Sequence, residues 1–281
     1  MQVTELSIVA RGAACLDRAE LTALRQRSIP RFAATLRPQL LKQSDEQTLA
    51  AAVALDRAIE SFSPDESPDF SAWSIVSASR YFGRTAFAAV IDKYQIDGAW
   101  GVSVHGIPHC SPHALASSLS LALASRGPCL GAAGTTGKEL QAILAAAALF
   151  TRAGILGAWF VVSGWSGDAV SGLPAPEARC HAIALALVPA ATSLPPTPSR
   201  GRIRIEPARA ETEGLPSRDV LLCLASNQEQ GLQMELCGGG IKADLELFPA
   251  AQVIGTIPRS IEGRGEGINL PLPPGEGRGE G

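Results

Sequence analysis

The sequence predicts an α/β protein in which a sheet is layered between helices. Three observations predict it. Segments of strand-like and helix-like periodicity alternate along the first 190 residues, the order that a layered α/β sheet requires. Residues 136–152 contain ELQAILAAAALF, apolar nearly all round, so this helix is expected at the centre, covered on most sides. Hydrophobic residues make up 46% of the 281, ample for the core of one large domain or two small ones.

Each element has its own signal. Residues 3–10 alternate as a strand. Ser44 with Gln47 forms a capping-box pattern, and Leu49, Ala52, Val53 and Ile59 then recur at helical spacing, which predicts a helix over 45–61. SPDESP at 63–68 is a loop, 71–79 a strand and 81–95 a helix. Ser111 caps a helix whose first position is Pro112 and which reaches about residue 125, with Leu115, Leu119 and Leu123 on one stripe. A strand over 128–133, the apolar helix, and strands over 157–163 and 181–188 follow. Pro195, Pro196 and Pro198 break the chain. Beyond them, 201–208 and 219–226 read as strands, and 238–258 fits no single pattern. The hexapeptide EGRGEG at 262–267 recurs at 276–281. Such a segment buries too little apolar surface to offset its ordering entropy, so residues from 259 onward are expected to be a disordered tail.

Composition excludes some functions. A net charge of -3 offers nothing to attract nucleic acid or an anionic membrane, and a tail with three arginines and no aromatics is a poor RNA binder. The six cysteines at 15, 110, 129, 180, 223 and 237 form no CxxC pair, and the first residues lack a basic-then-apolar leader. They read as reduced thiols of a cytoplasmic protein. The longest strongly apolar run, 143–150, is far short of the roughly 20 residues that cross a bilayer.

Several local motifs have bland readings that outweigh sharper ones. His105, His109, Cys110 and His113 suggest zinc, but Pro108 and Pro112 interrupt the helical spacing, so no metal is expected. VSGWSGD around Ser163 and Ser166 lacks the GxSxG pattern because Asp168 closes it. Cys237 to Gly240 reads as a plain turn rather than a phosphate loop. Trp73, Trp100, Trp159 and Trp165 are expected in or beside the core, with Trp165 placed to border a pocket.

The most informative stretch runs from Arg126 to Gly137, where a strand turns through small residues into the apolar helix. The run IPHCSPHALASSLSLALASRGP, this turn, and GKELQAILAAAALFTRAGILGAWFVVSGW resemble the N-terminal half of β-ketoacyl synthases of the thiolase-like superfamily. HAIALALVPA and LLKQSDEQTLAAAVALDRAIE resemble a later strand and an early helix of the same half. The resemblance implies a thiolase-like layered fold, helices covering a mixed sheet around a buried central helix, truncated relative to a full synthase. It implies a domain over 1–190, a reduced segment over 191–258 packed on it, and the tail over 259–281.

An active synthase carries a cysteine at the turn, where the helix N-terminus favours a thiolate, and two histidines in its C-terminal half. Matched through Gly137, the cysteine position falls on Gly134. Cys129 lies five residues earlier, roughly 16 Å away at about 3.3 Å per residue, and reads as a small hydrophobe. Thr135 and Thr136 lack a nearby base in sequence and read as helix caps. No histidine follows His181. The turn Gly134, Thr135, Thr136 and Gly137 is therefore a candidate pocket from which the nucleophile is absent.

The resemblance implies a non-catalytic, chain-length-factor-like subunit of fatty-acid, polyketide or aryl-polyene-type biosynthesis. Its partners would be an active synthase or a second copy, and an acyl carrier protein, with no cofactor. Two alternatives stay open: an active acyltransferase with an unrecognised thiol or hydroxyl, and a stand-alone dimeric acyl-binding module.

Overall fold

The computed structural model describes residues 3–249 other than 28, 33–34, 37, 63–67, 104–105, 135, 153, 167–176, 193–198, 209–219, 221–223 and 225–230. The expected tail and the Pro195–Pro198 break lie outside the described residues. Among the described residues, no helix is long and apolar enough to cross a membrane.

Strand β1 spans Thr4–Leu16, six residues beyond the end that its alternation suggests. Its second half, ARGAACL, is carried by pairing along β5 (Cys180–Pro189) rather than by an amphipathic pattern. Two short helices follow, neither of them expected: α1 (Arg18–Gln26), opened by a capping box between Asp17 and Glu20, and α2 (Pro38–Gln43). The anticipated helix is α3 (Glu46–Glu60), but its cap is Asp45, whose carboxylate accepts from the Gln47 N–H at 2.8 Å. Ser44 does not cap it, because its hydroxyl donates to the Leu40 carbonyl at the end of α2. The alanines of α3 let it lie flat on β1. A Cβ on Gly12 would stand 2.3 Å from the Ala54 carbonyl oxygen, so a side chain there would push helix and strand apart.

The parallel part of the sheet comes next. Strand β2 (Ser74–Ser79) leads to α4 (Arg84–Asp97), the single turn α5 (Gly106–His109) and α6 (Pro112–Leu123). Strand β3 (Cys129–Ala133) is followed by the apolar helix α7 (Lys138–Leu149) and β4 (Ala158–Trp165). After β5 come β6 (Gly201–Pro207), β7 (Leu232–Gly238) and β8 (Ile241–Leu247). β7 and β8 form a hairpin, which takes in the described part of the ambiguous 238–258 stretch, and Gly239 and Gly240 make its turn with φ of 56° and 73°, positive at both positions as a tight two-residue hairpin demands. Of residues 219–226, expected as a strand, Val220 and Leu224 are described; both are helical and buried. Apolar content without a neighbouring strand to pair with does not make a strand.

All eight strands form one sheet in the order β3-β2-β4-β5-β1-β6-β8-β7. β2 runs parallel to β3 and β4, and the remaining pairs are antiparallel. One face packs on α3 and α6 around Trp73 and Trp159, whose ring centroids are 5.7 Å apart. The other face holds α7 together with apolar side chains of β6, β7 and β8. As its composition predicts, α7 is covered on most sides, leaving Gln141 and Ala148 exposed. By contrast α4 buries none of its residues, and Trp100 just beyond it is fully exposed at 100%. That corrects the expectation that all four tryptophans pack in or beside the core.

Candidate functional site

The chain passes from β2 to β3 through α6 on one face of the sheet, then returns over β2 to β4 through α7 on the other. The carboxyl ends of β2, β3 and β4 therefore form a topological switch point, where open α/β sheets leave a crevice. The strand-to-helix turn singled out in the sequence lies here. Gly134 follows β3 directly, and Gly137, with φ of 70°, is the N-cap of α7 without any side-chain cap. Thr136 is exposed and does not cap the helix, which starts two residues later than expected; Thr135 lies outside the described residues.

No crowding demands a glycine at 134. A Cβ there would meet only the Thr136 carbonyl oxygen, at 3.8 Å, among its near neighbours. Cys129 opens β3 at its far end, half-buried against the core, with Sγ 3.6 Å from the Gly127 carbonyl oxygen. The geometry keeps this thiol and the turn at opposite ends of one strand.

Three features of this end escaped the sequence reading. First, Lys138 and Glu139 in the first turn of α7 are 1% and 2% exposed and ion-paired with each other. Burial lowers the Lys138 pKa, Glu139 opposes that, and Arg80 at the end of β2 adds to the lowering. Charged residues at a helix start look like solvated dipole partners in a sequence, so nothing local signals that this pair is buried. Second, Gln47, 1% exposed, donates to the Arg80 carbonyl at 2.9 Å and accepts from Ser163 Oγ at 2.9 Å. It fastens the ends of β2 and β4 to α3. Third, Tyr81 adopts a φ of 50° between two guanidiniums, those of Arg80 and Arg84, each 5.2 Å from its ring centre. A non-glycine residue in this region stores strain, and the paired cation–π contacts offset it.

A cavity of about 500 Å³ lies between α4 and the α2–α3 junction, lined by Lys42, Asp45, Ala86, Val90, His109 and Cys110 among others. Burial, and then Glu46, push the Asp45 carboxyl up to about 7, against the N–H groups of Gln47 and Gly83 and the charge of Arg25. Burial, and then Asp45, raise the Cys110 thiol. Trp165 borders a smaller cavity of about 150 Å³ with Arg18 and Thr22. Among the described residues no three metal-ligating side chains converge; His105 lies outside them. Ser163 is buried on β4 and donates to Gln47.

The two rims of the sheet differ. On β3, Leu130 is 39% exposed and Gly131 and Ala133 are exposed. Helix α6, which packs on β3, leaves Leu121 exposed, and α4 leaves Phe87, Ile91, Tyr94 and Ile96 exposed. On β7 and β8, Lys242 bridges Glu235 at 2.7 Å and Asp244 at 3.2 Å, and Arg202 of β6 bridges Glu246 at 2.7 Å. The depression of about 550 Å³ over this outer face is a solvated, salt-bridged surface.

No family model matches the chain by sequence, and no curated protein does. Solved structures do match by shape. A structure of a type II PKS acyl-carrier protein in complex with its ketosynthase bound to the hexaketide matches at a TM-score of 0.55 and 13% identity, over 88% of this chain and 100% of that one. A ketosynthase in complex with its chain length factor from Xenorhabdus doucetiae matches at 0.54 and 12%, over 87% and 99%. The ishigamide ketosynthase/chain length factor matches at 0.51 and 15%, over 73% and 68%. The fold is that of the thiolase-like ketosynthases and chain length factors, as the elbow-region resemblance implies.

Proposed function

We propose that this chain is a non-catalytic, chain-length-factor-like subunit that pairs with an active β-ketoacyl synthase in a fatty-acid, polyketide or aryl-polyene-type pathway. The observation that carries the reading is the bare turn after β3. Gly134 occupies the strand-to-helix junction, the neighbouring Thr136 is exposed, and Cys129 stands at the other end of the strand. The lack of any histidine after His181 supports it, since condensation needs proton-transfer groups as well as a nucleophile.

Two of the matched structures contain a chain length factor together with a ketosynthase, and a third contains a carrier protein with its ketosynthase. In this reading the uncharged β3 rim and the exposed apolar residues of α4 are where the synthase docks, and the acyl carrier protein approaches the complex. The same surfaces would serve a second copy if the chain pairs with itself. The subunit would work in the cytoplasm without a cofactor of its own.

The test is co-expression with the ketosynthase encoded beside it, followed by size-exclusion chromatography and assay with loaded acyl carrier protein. A one-to-one complex that elongates acyl chains, with this chain unmodified between residues 129 and 136, is the expected result. An acyl group mapped stoichiometrically to Cys129, Thr135 or Thr136 would overturn the non-catalytic reading. A strict monomer that no synthase recruits would overturn the pairing.

A further inference from the structure

Cys15 is the exposed one among the described cysteines, and it has a base beside it. It sits one residue from the end of β1, directly across from His181 at the start of β5, with Sγ 3.9 Å from Nε2. On its other side His181 faces Gly164 of β4, which carries no side chain, so Cys15 supplies the cross-strand neighbour of the ring. We infer that Cys15 and His181 form a nucleophilic thiol–imidazole pair, a modification site that takes small disulfides by thiol–disulfide exchange.

The surroundings suit this chemistry. Arg179 donates from Nη2 to the Cys15 carbonyl at 3.2 Å and to Glu20 at 3.3 Å, which pins the end of β1 beside the start of β5. Burial, and then Arg179, lower the His181 pKa, which keeps the ring neutral at neutral pH but makes it a weaker base, so it holds the thiol proton only transiently. Among the described residues, its Nδ1 has no hydrogen-bond partner, and strand pairing places the ring beside the thiol. Cys15 is exposed at this strand end, which admits a small linear electrophile.

The step balances without another reactant. The Cys15 thiol gives its proton to His181 Nε2, and the thiolate attacks one sulfur of the disulfide. A bond forms between Cys15 Sγ and that sulfur, and the original S–S bond breaks. The departing thiolate takes the proton from the imidazolium and leaves as a free thiol.

Oxidised glutathione is the probe, read by intact mass and peptide mapping. We expect one glutathione per chain, on Cys15, added about tenfold faster than in His181→Gln, and no fast addition in Cys15→Ser. As a control independent of that variant's folding, Cys15 in the native chain is expected to react faster than the same thiol in the chain unfolded by guanidinium. Modification first at another cysteine, an equal rate in a folded His181→Gln protein, or a native rate no faster than the unfolded one would each overturn the inference. None of these outcomes bears on the pairing with a synthase, which size-exclusion chromatography reads separately.

Discussion

One sheet has two rims of opposite chemistry. At β7 the edge is guarded by charge: Lys242 holds Glu235 and Asp244, and Gln233 joins Glu246 at 3.2 Å. Charged edges are how proteins stop strands from recruiting other strands. At β3 the strand CLGAA carries no charge, and Leu130 on it and Leu121 on the adjoining α6 are exposed. An edge of the second kind is a liability unless something covers it. The comparison teaches that one sheet is guarded by charge at one edge and left without charge at the other.

The comparison can be broken most directly at Leu130. Leu130→Arg places a charge on the uncovered rim, and association with the synthase is expected to weaken roughly 100-fold or more. The same substitution should leave the melting temperature of the isolated chain within about 2 °C, because the site is exposed in the monomer. Trp100→Ser, on the exposed segment after α4, should weaken association less, by about tenfold. Isothermal titration and differential scanning fluorimetry on the same preparations decide between a docking role and a merely structural one.

A second effect concerns the ionisable groups. Near β2, Asp45 is buried and its folded-state carboxyl is pushed up to about 7, above the ordinary carboxylate range of about 4. The folded chain therefore holds a proton that the unfolded chain has released, and stability falls as pH rises from about 4 to 7, then levels off. Asp45→Asn, which keeps a capping oxygen, should flatten this slope in melting curves taken from pH 5 to 8. Near β7 the order is reversed: hydrogen bonds from Lys242, and then Cys237, lower the Glu235 pKa, and this group is exposed.

The smallest effect is expected there. Glu235→Gln should leave the melting temperature within about 2 °C, since exposed ion pairs add little. Its consequence should appear instead as greater self-association at high protein concentration, read by light scattering, because the guard on that edge is weakened.

Much of the fold is legible in local pattern. The heptapeptide-scale periodicities of β2, β4, β5, α3 and α7 survive into the structure nearly at their expected bounds, because each buries a face whose spacing matches its own geometry. What escaped depends on neighbours. The second half of β1 exists because β5 lies beside it, and α2 has too little apolar surface to announce itself, whereas α1 carries its signal in the Asp17–Glu20 capping box. At the switch point the glycine at 134 was readable from residue identity alone. The roles of Gln47 and Lys138 were not, because a first-turn polar residue looks the same whether water or a strand end receives it.

The sequence by itself determined the kinds of elements, their order, the apolar central helix and the bare turn before it. These follow from side-chain size, periodicity and residue identity, all of which are local. Only the tertiary structure decided which strand ends the sheet, that Lys138 and Glu139 are buried together, and that Cys15 meets His181 across 166 residues of chain. Strand order and register are fixed by long-range pairing, and side chains distant in sequence become neighbours only once that pairing has formed.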